Sequence, residues 1–420
     1  EPALPGATLH GLAHRVPGLD ASFAETLNHI RTLYQAGTPI IGICASGILI
    51  RALAAVISDK RLEPPVLAVS EDGASVIPLL GGHRGANSLA RQVAEALDGH
   101  TAITTAGDTA LGIALDSPPA GWWLANPEHA KGFMAELLAG SAVRIEGNAD
   151  WIARSRLAIS DKADLTICLT EKRRVPDDRT LVYHPRRLVV GVGCARGCDP
   201  QELATLVRET LAAEGLAEGA VALVATLDLK ADEPAMNALA DALKVPLRVF
   251  DAATLEAETP RLQTPSEVVF AEVGCHGVSE GAALAAVGME GALRVAKRKT
   301  ANATVAVAEA PAPLKPAEIG RARGRLSVIG IGPGRDDWRT PQSSRLLAEA
   351  DEIVGYSLYL DLVAPLIQGK PRHAFPLGAE EERVRFALER AGEGRSVALV
   401  CSGDAGIYAM GALVFELLDR

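Results

Sequence analysis

Residues Gly81-Gly82-His83-Arg84-Gly85-Ala86-Asn87 set a titratable imidazole and a fixed cation inside a glycine turn. The turn follows the apolar run "SVIPLL" and opens the amphipathic run "NSLARQVAEAL" (87–97), for which Asn87 is the expected cap. Gly81, Gly82 and Gly85 permit close backbone approach, and a helix start favours an anion, so the stretch suits a ligand carrying negative charge. Read for structure alone, it is a tight β-to-α turn with solvated polar residues. "TTAGDT" (104–109) ends the next strand. In a doubly wound sheet, that puts Thr104, Thr105 and Asp108 at the same carboxyl edge as the glycine turn.

"TLDLKADEP" (226–234) follows a strand with Asp228, Lys230, Asp232 and Glu233. A charged helix start, with Asp232 as N-cap before Glu233 and Pro234, accounts for the acids. It leaves Lys230, a cation among acids at a strand end, without a structural reason. "AKRKTANAT" (296–304) is the densest basic run in the chain, and a solvated edge strand guarded by lysines explains it on composition. Cys194-x3-Cys198 and Cys275-His276 do not have zinc-knuckle spacing, and no second C-x2-C supports them, so they read as buried or incidental thiols and no protein metal site is expected.

The elements that must position these residues alternate strand and helix, the pattern of several α/β units in series. "PIIGIC" (39–44) and "SGILIRALAAVI" (46–57) open the first unit, and Glu71-Asp72-Gly73 between "PVLAVS" and "SVIPLL" signals a hairpin. The expected divisions are 1–125, a weaker central region 126–186, a compact α/β unit 187–309, a Pro- and Ala-rich linker 310–324, and a last unit 325–420. At 420 residues, two or three cores are expected. A net charge of −10 argues against general nucleic-acid binding, which needs a basic face. No run of 18 uncharged apolar residues is present for a membrane span. Six cysteines in this length make no disulfide framework, and a reducing cytoplasm fits best.

"RLSVIGIGPG" (325–334) ends a strand in Gly330, Gly332, Pro333 and Gly334. The spacing is not G-x-G-x-x-G, and proline stops the turn from running straight into a phosphate-cradling helix, which disfavours a dinucleotide-dependent oxidoreductase. The next helix start is Thr340 as cap with Pro341 at the first helical position. The turn is therefore a wide, backbone-exposing loop. "LVCSGDAGIYAMGA" (399–412) repeats the device with Ser402, Gly403, Asp404 and Gly406, and the two loops are expected to line one cleft.

"SVIGIGPG", "GYSLYLDLV" (355–363) and "SGDAGIYAMG" resemble three successive motifs of the tetrapyrrole methylases, in an order and spacing similar to those of the precorrin-3B C-17 methyltransferases. The resemblance implies the N-terminal half of that fold, a homodimer through this part, and S-adenosylmethionine bound along Gly330, Gly332, Pro333, Gly334, Ser402, Gly403, Asp404, Gly406 and Tyr408. Residues 1 to about 308 resemble the cobalt-precorrin-5A hydrolases of cobalamin synthesis through "IPLLGGHRGANSLARQVAEAL", "AITTAGD", "GVGCARG", "ATLDLKADEP" and "KRKTANATVAVAEA". That resemblance implies hydrolytic opening of a δ-lactone and release of the former bridging carbon as acetaldehyde, with cobalt present only inside the substrate. It further leads to the expectation that the hydrolase's first strand lies before Glu1 and the methylase's second domain after Arg420.

Lactone opening needs an activated water and a stabilised oxyanion. His83 is the expected base, Lys230 or N–H groups near Gly85 the oxyanion partners, and Thr105 and Asp108 the alternatives. The substrate is a tetrapyrrole polycarboxylate, for which Gly82, Arg84, Gly85, Asn87, Thr104, Lys297, Lys299 and Asn302 are the expected contacts. The competing reading makes the first 308 residues a non-catalytic corrinoid-binding or channelling module.

Overall fold

The computed structural model describes residues 4, 7–12, 21–59, 62–105, 107–335, 338–406 and 410–418. They form two units, 1–103 together with 324–420, and 104–323. No helix among the described residues is long and apolar enough to cross a membrane.

The first unit begins with a two-stranded parallel pair, β1 (His10–Leu12) and β2 (Ala21–Phe23). Then come α1 (Thr26–Gln35), β3 (Ile40–Ile43), α2 (Ser46–Leu53), β4 (Val66–Val69), β5 (Ser75–Leu80), α3 (Ala86–Leu97) and β6 (His100–Thr101). The sheet order is β3-β4-β5-β6. The Asp72-Gly73 signal makes β4 and β5 an antiparallel hairpin, while β6 runs parallel to β5. Leu49, Leu53, Val66 and Ala68 close one face of the sheet, and Ala86, Ala90 and Val93 cover the other. Asn87 is not the cap of α3. Gly85 holds that position with φ 94°, a left-handed conformation that glycine adopts without strain.

The second unit carries two sheets. In the first, β7 (Trp122–Leu124), α4 (Pro127–Leu138), β8 (Val143–Glu146), α5 (Asp150–Ala153), β9 (Leu165–Leu169) and β10 (Thr180–Pro185) give the order β7-β10-β9-β8. Phe133, Leu165, Ile167 and Tyr183 form its core. In the second, β11 (Leu188–Cys194), α6 (Pro200–Ala213), β12 (Val221–Leu227), α7 (Pro234–Leu243) and β13 (Leu247–Phe250) wind a parallel sheet. Mostly apolar residues buried along nearly all of β11, β12 and β13 are what a sheet covered on both faces requires. Helices α8 (Ala252–Ala257), α9 (Glu267–Val273) and α10 (Val278–Val287) follow, then the antiparallel strands β14 (Ala292–Lys299) and β15 (Ala303–Glu309). β14 is an edge strand, as its lysines suggest. The Pro- and Ala-rich stretch after Glu309 carries β16 (Arg321–Ala322), which pairs with β13 at the other edge.

The chain then returns to the first unit with β17 (Arg325–Gly330), α11 (Pro341–Glu349), β18 (Glu352–Tyr356), α12 (Ser357–Leu362), β19 (Arg372–Phe375), α13 (Glu380–Gly392), β20 (Ser396–Cys401) and α14 (Met410–Leu418). The order β17-β20-β18-β19 is parallel throughout. Thr340 caps α11, its hydroxyl accepting from the Ser343 N–H at 3.1 Å, with Pro341 at the first helical position.

Candidate functional site

In the second unit β11, β12 and β13 end at one edge of the sheet. β15 runs antiparallel to β11, so Ala303 pairs with Cys194 and the 299–304 turn reaches the same edge. Threonine hydroxyls lock the strand ends: Thr226 donates to the Val192 carbonyl at 2.8 Å and Thr304 to the Gly193 carbonyl at 3.1 Å. The loop after β11 is held by a buried carboxylate, for Glu233 accepts from the Gly197 N–H at 3.0 Å while only 1% exposed. Arg196 lies outermost. It donates to Asp232 at 2.8 Å and to the Leu229 carbonyl at 2.7 Å.

Asp232 therefore does not cap α7. Glu233 is the cap residue, and the carboxylate of Asp232 is drawn to Arg196 instead. Lys230 ends the 3-10 turn Asp228–Lys230, half-buried. Its ammonium has no hydrogen-bond or ion-pair partner among the described residues, although it acts electrostatically on Cys194. Burial first, then Cys198 and Glu233, push the Cys194 thiol up to about 12 against the pull of Lys230. Burial likewise raises Cys198. Both thiols are therefore protonated at neutral pH, unsuited to act as nucleophiles.

Asn302 sits in the turn. Its N–H and side-chain amide donate to Glu202 at 3.0 and 3.1 Å, and its carbonyl accepts from the Ala195 N–H at 2.9 Å. Lys299 is exposed at the end of β14. Lys297 is half-buried, and its ammonium donates to the Thr264 carbonyl at 3.2 Å. Its backbone N–H meets Glu280, a 1%-exposed carboxylate that also accepts from Gln263 and twice from Thr264. Burial pushes Glu280 up, but these donors outweigh it and hold the carboxyl below its ordinary range.

Thr104 and Thr105 are exposed at the start of this unit. Asp108 lies in the turn Gly107–Leu111, and its side chain falls outside the described structure. Arg196, Glu202, Thr226 and Thr304 were not singled out by sequence, and Glu233 was read only as part of a charged helix start. The available signal was one arginine between two cysteines, just past an apolar strand.

In the first unit the glycine turn follows β5. Gly81 has φ 77°, and a Cβ there would come within 2.5 Å of the Pro64 carbonyl oxygen. Arg84 is spent on tying a loop, donating to the Leu62 carbonyl at 3.0 Å. Gly82 faces open space and Asn87 lies in the first turn of α3. His83 is in the 3-10 turn Gly82–Arg84, with its side chain outside the described structure.

Elsewhere in that unit, β17 and β20 are parallel neighbours, so the loops that follow them meet. Gly332 and Gly403 exchange backbone hydrogen bonds at 3.1 and 3.0 Å. Gly332, Gly334 and Gly403 have φ of 62°, 98° and 65°, values that disfavour any side chain. Gly330 packs against backbone, a Cβ there falling 2.4 Å from the Gly403 oxygen. Ser402 and Asp404 are exposed, and the Asp404 carboxylate accepts from the Gly406 N–H at 2.7 Å. Gly330 to Gly334 and Ser402 to Gly406 thus form one backbone-lined floor, whereas Tyr408 lies outside the described residues.

Three protein-family models match the chain. They are Cobalamin synthesis G N-terminal over residues 28–108, Cobalamin synthesis G C-terminus over 188–308, and Tetrapyrrole (Corrin/Porphyrin) Methylases over 325–420. The chain is 32% identical over 265 residues to the cobalt-precorrin-5A hydrolase of Salmonella typhimurium, covering 56% of this chain and 72% of that protein. It is 51% identical over 128 residues to Protein CobE of Sinorhizobium sp, covering 30% of this chain and 82% of that one. Its last part is 41% identical over 95 residues to the "Probable cobalt-factor III C(17)-methyltransferase" of Methanothermobacter thermautotrophicus, 23% of this chain but 27% of that protein. The chain therefore belongs to the cobalt-precorrin-5A hydrolase family of cobalamin biosynthesis, joined to a segment of a tetrapyrrole methylase.

Proposed function

We propose that the hydrolase part opens the δ-lactone of cobalt-precorrin-5A and leads to acetaldehyde release. The methylase segment, in turn, contributes to S-adenosylmethionine-dependent C-17 methylation, with ring contraction, of precorrin-3B or its cobalt counterpart. The observation that carries the hydrolytic reading is the half-buried ammonium of Lys230 at a strand-end edge, with no hydrogen-bond or ion-pair partner among the described residues. A cation held without a protein partner is available to a charge that develops only during reaction. Water attack on the lactone carbonyl creates an oxyanion, which Lys230 stabilises. Arg196 and Lys299, reaching outward from the same edge, hold the carboxylates that flank the ring. The base that activates water is a titratable side chain.

The backbone floor fits the methyl donor. Three left-handed glycines, and the open space beside Gly403, let a flat or extended ligand lie against main chain. Gly332, Gly334 and Gly403 would hold S-adenosylmethionine by backbone groups. Its sulfonium supplies an already activated methyl, so the chain's task here is placement. The test is acetaldehyde release from cobalt-precorrin-5A. Lys230→Ala is expected to release it at least ~10-fold more slowly, a barrier increase of about 1.4 kcal/mol. An unchanged rate in this variant would remove Lys230 from the reaction, and a wild-type protein that releases none would favour a binding or channelling module.

A further inference from the structure

His276 was set aside with Cys275 as an incidental pair, yet the structure builds a site around it. Its Nδ1 lies 2.9 Å from both carboxylate oxygens of Glu256, and its own backbone N–H donates to Glu256 Oε2 at 3.0 Å. The carboxylate thus fixes the ring by two anchors. Phe270 stacks on the imidazole, with centroids 4.4 Å apart and planes 22° from parallel. With Nδ1 committed to Glu256, the exchangeable atom is Nε2. That nitrogen stands 3.6 Å from Glu267, whose side chain is 90% exposed, beyond ordinary hydrogen-bonding distance.

A helix-capping role does not need this arrangement. The backbone N–H at 276 would satisfy Glu256 whatever side chain stood there. The place in the fold is also telling. His276 is two residues before Val278, and a Cβ on Gly193 would lie 3.6 Å from that valine. Gly193 is the neighbour of Cys194, so α10, which the His276 turn leads into, starts beside the end of β11, the strand whose following loop carries Arg196. Two residues further along α10, Glu280 fastens Lys297 and the 263–264 loop to that rim.

We propose that His276, oriented by Glu256, is the proton-transfer group for lactone opening in this chain, in place of His83. The inference rests on the hydrolase reading above. As water oxygen bonds to the lactone carbonyl carbon, Nε2 takes one of its protons. When the acyl–oxygen bond breaks, its electron pair leaves on the ring oxygen, and Nε2 returns the proton there. The products of this step are a carboxylic acid and an alcohol, and no further reactant is consumed. Glu256 is a positioning residue, setting the Nδ1–H tautomer and the ring plane. The groups facing the imidazole are Glu256 from α8 and Glu267 from α9. The hydrogen bond to Glu256 raises its basicity above the ordinary histidine value, with burial opposing and Glu267 adding to it.

The test uses the full chain with cobalt-precorrin-5A, comparing His276→Asn, Glu256→Gln and His83→Ala. Asparagine keeps a donor to Glu256 but lacks Nε2. Loss of a positioned base costs typically 10²–10⁴-fold, so H276N should release acetaldehyde at least ~100-fold more slowly with an unchanged thermal midpoint. H83A should remain within about threefold of wild type on the same scale. E256Q should move the acid limb of the pH–rate profile to lower pH, because the neighbouring carboxylate no longer raises the imidazole. A purely structural His276 would leave that limb in place. If H276N stays within threefold of wild type, or if H83A shows the large loss instead, the proposal is overturned while the hydrolase reading stands. If the wild-type protein itself releases no acetaldehyde, the hydrolase reading falls and this assignment with it.

Discussion

The strand-end edge of β11–β13 and the floor after β17 and β20 both follow the ends of parallel strands but are built from opposite materials. The first is made of side chains. Glu233 and Glu280, each 1% exposed, spend their carboxylates on main-chain N–H groups, the first fixing the loop that carries Arg196 and the second the 263–264 loop and the strand that carries Lys297 and Lys299, while Glu256 holds His276. The second is made of main chain. Gly332 and Gly403 bond to each other, and the one carboxylate present, Asp404, is turned onto the Gly406 N–H. The chemistry expected of each follows from its material. Bond cleavage by water needs groups that move protons and meet new charge. A donor that arrives activated needs only shape and placement.

The contrast is most sharply broken at Gly330. A methyl group there would fall 2.4 Å from the Gly403 oxygen and 2.8 Å from the Ala405 nitrogen, both backbone atoms that cannot swing aside. Gly330→Ala should destabilise the first unit by about 1–3 kcal/mol. It should also weaken S-adenosylmethionine binding at least ~10-fold in calorimetry, equivalent to about 1.4 kcal/mol. Unaltered binding would show that the donor does not lie on this floor.

The side-chain edge is sharpened next at Glu280. Glu280→Gln strips the carboxylate from four donors in a buried site, at a cost of about 1–3 kcal/mol at pH 7. The wild-type carboxyl is held below its ordinary value when folded, so its contribution is fully present above the unfolded value, near 4.5, and is lost as pH falls through the lower folded value. Urea midpoints of wild type and E280Q should therefore converge at acid pH. A constant gap would mean that Glu280 does not fold as an anion.

A smaller effect separates the two lysines. Lys299 is exposed, with no side-chain partner among the described residues, whereas the Lys297 ammonium is already engaged by the Thr264 carbonyl. Lys299→Ala should raise KM for cobalt-precorrin-5A about three- to fivefold with kcat unchanged, the pattern of uniform binding. The effect should fade with added salt, because exposed pairs are screened over about 8 Å at physiological ionic strength. Lys297→Ala should move KM less, and the reverse order would show that Lys297 leaves Thr264 for the substrate.

What could be read from the sequence divides along the same line. Local signals carried well, as the Asp72-Gly73 hairpin, the Thr340–Pro341 helix start and the paired glycine loops after β17 and β20 illustrate. Each is decided by neighbours within a few residues. Asp232 and Asn87 misled as caps because distant or conformational competitors prevailed, Arg196 in one case and the left-handed Gly85 in the other. The Glu256–His276 pair spans twenty residues and depends on how α8 and α10 pack, so no spacing rule reveals it. A site made of glycine turns announces itself in sequence. One made of side chains meeting across a sheet edge does not.

The chain is expected to carry two chemically separate sites, and one crossed measurement tests this. Acetaldehyde release from cobalt-precorrin-5A and calorimetric binding of S-adenosylmethionine are followed on the same preparations of K230A and G330A. K230A should lose at least ~10-fold in release and bind the methyl donor as wild type does, while G330A should show the converse, each loss corresponding to about 1.4 kcal/mol. If either variant loses both properties together while remaining folded, or if K230A releases acetaldehyde at the wild-type rate, the division into a side-chain hydrolytic edge and a backbone donor floor is wrong.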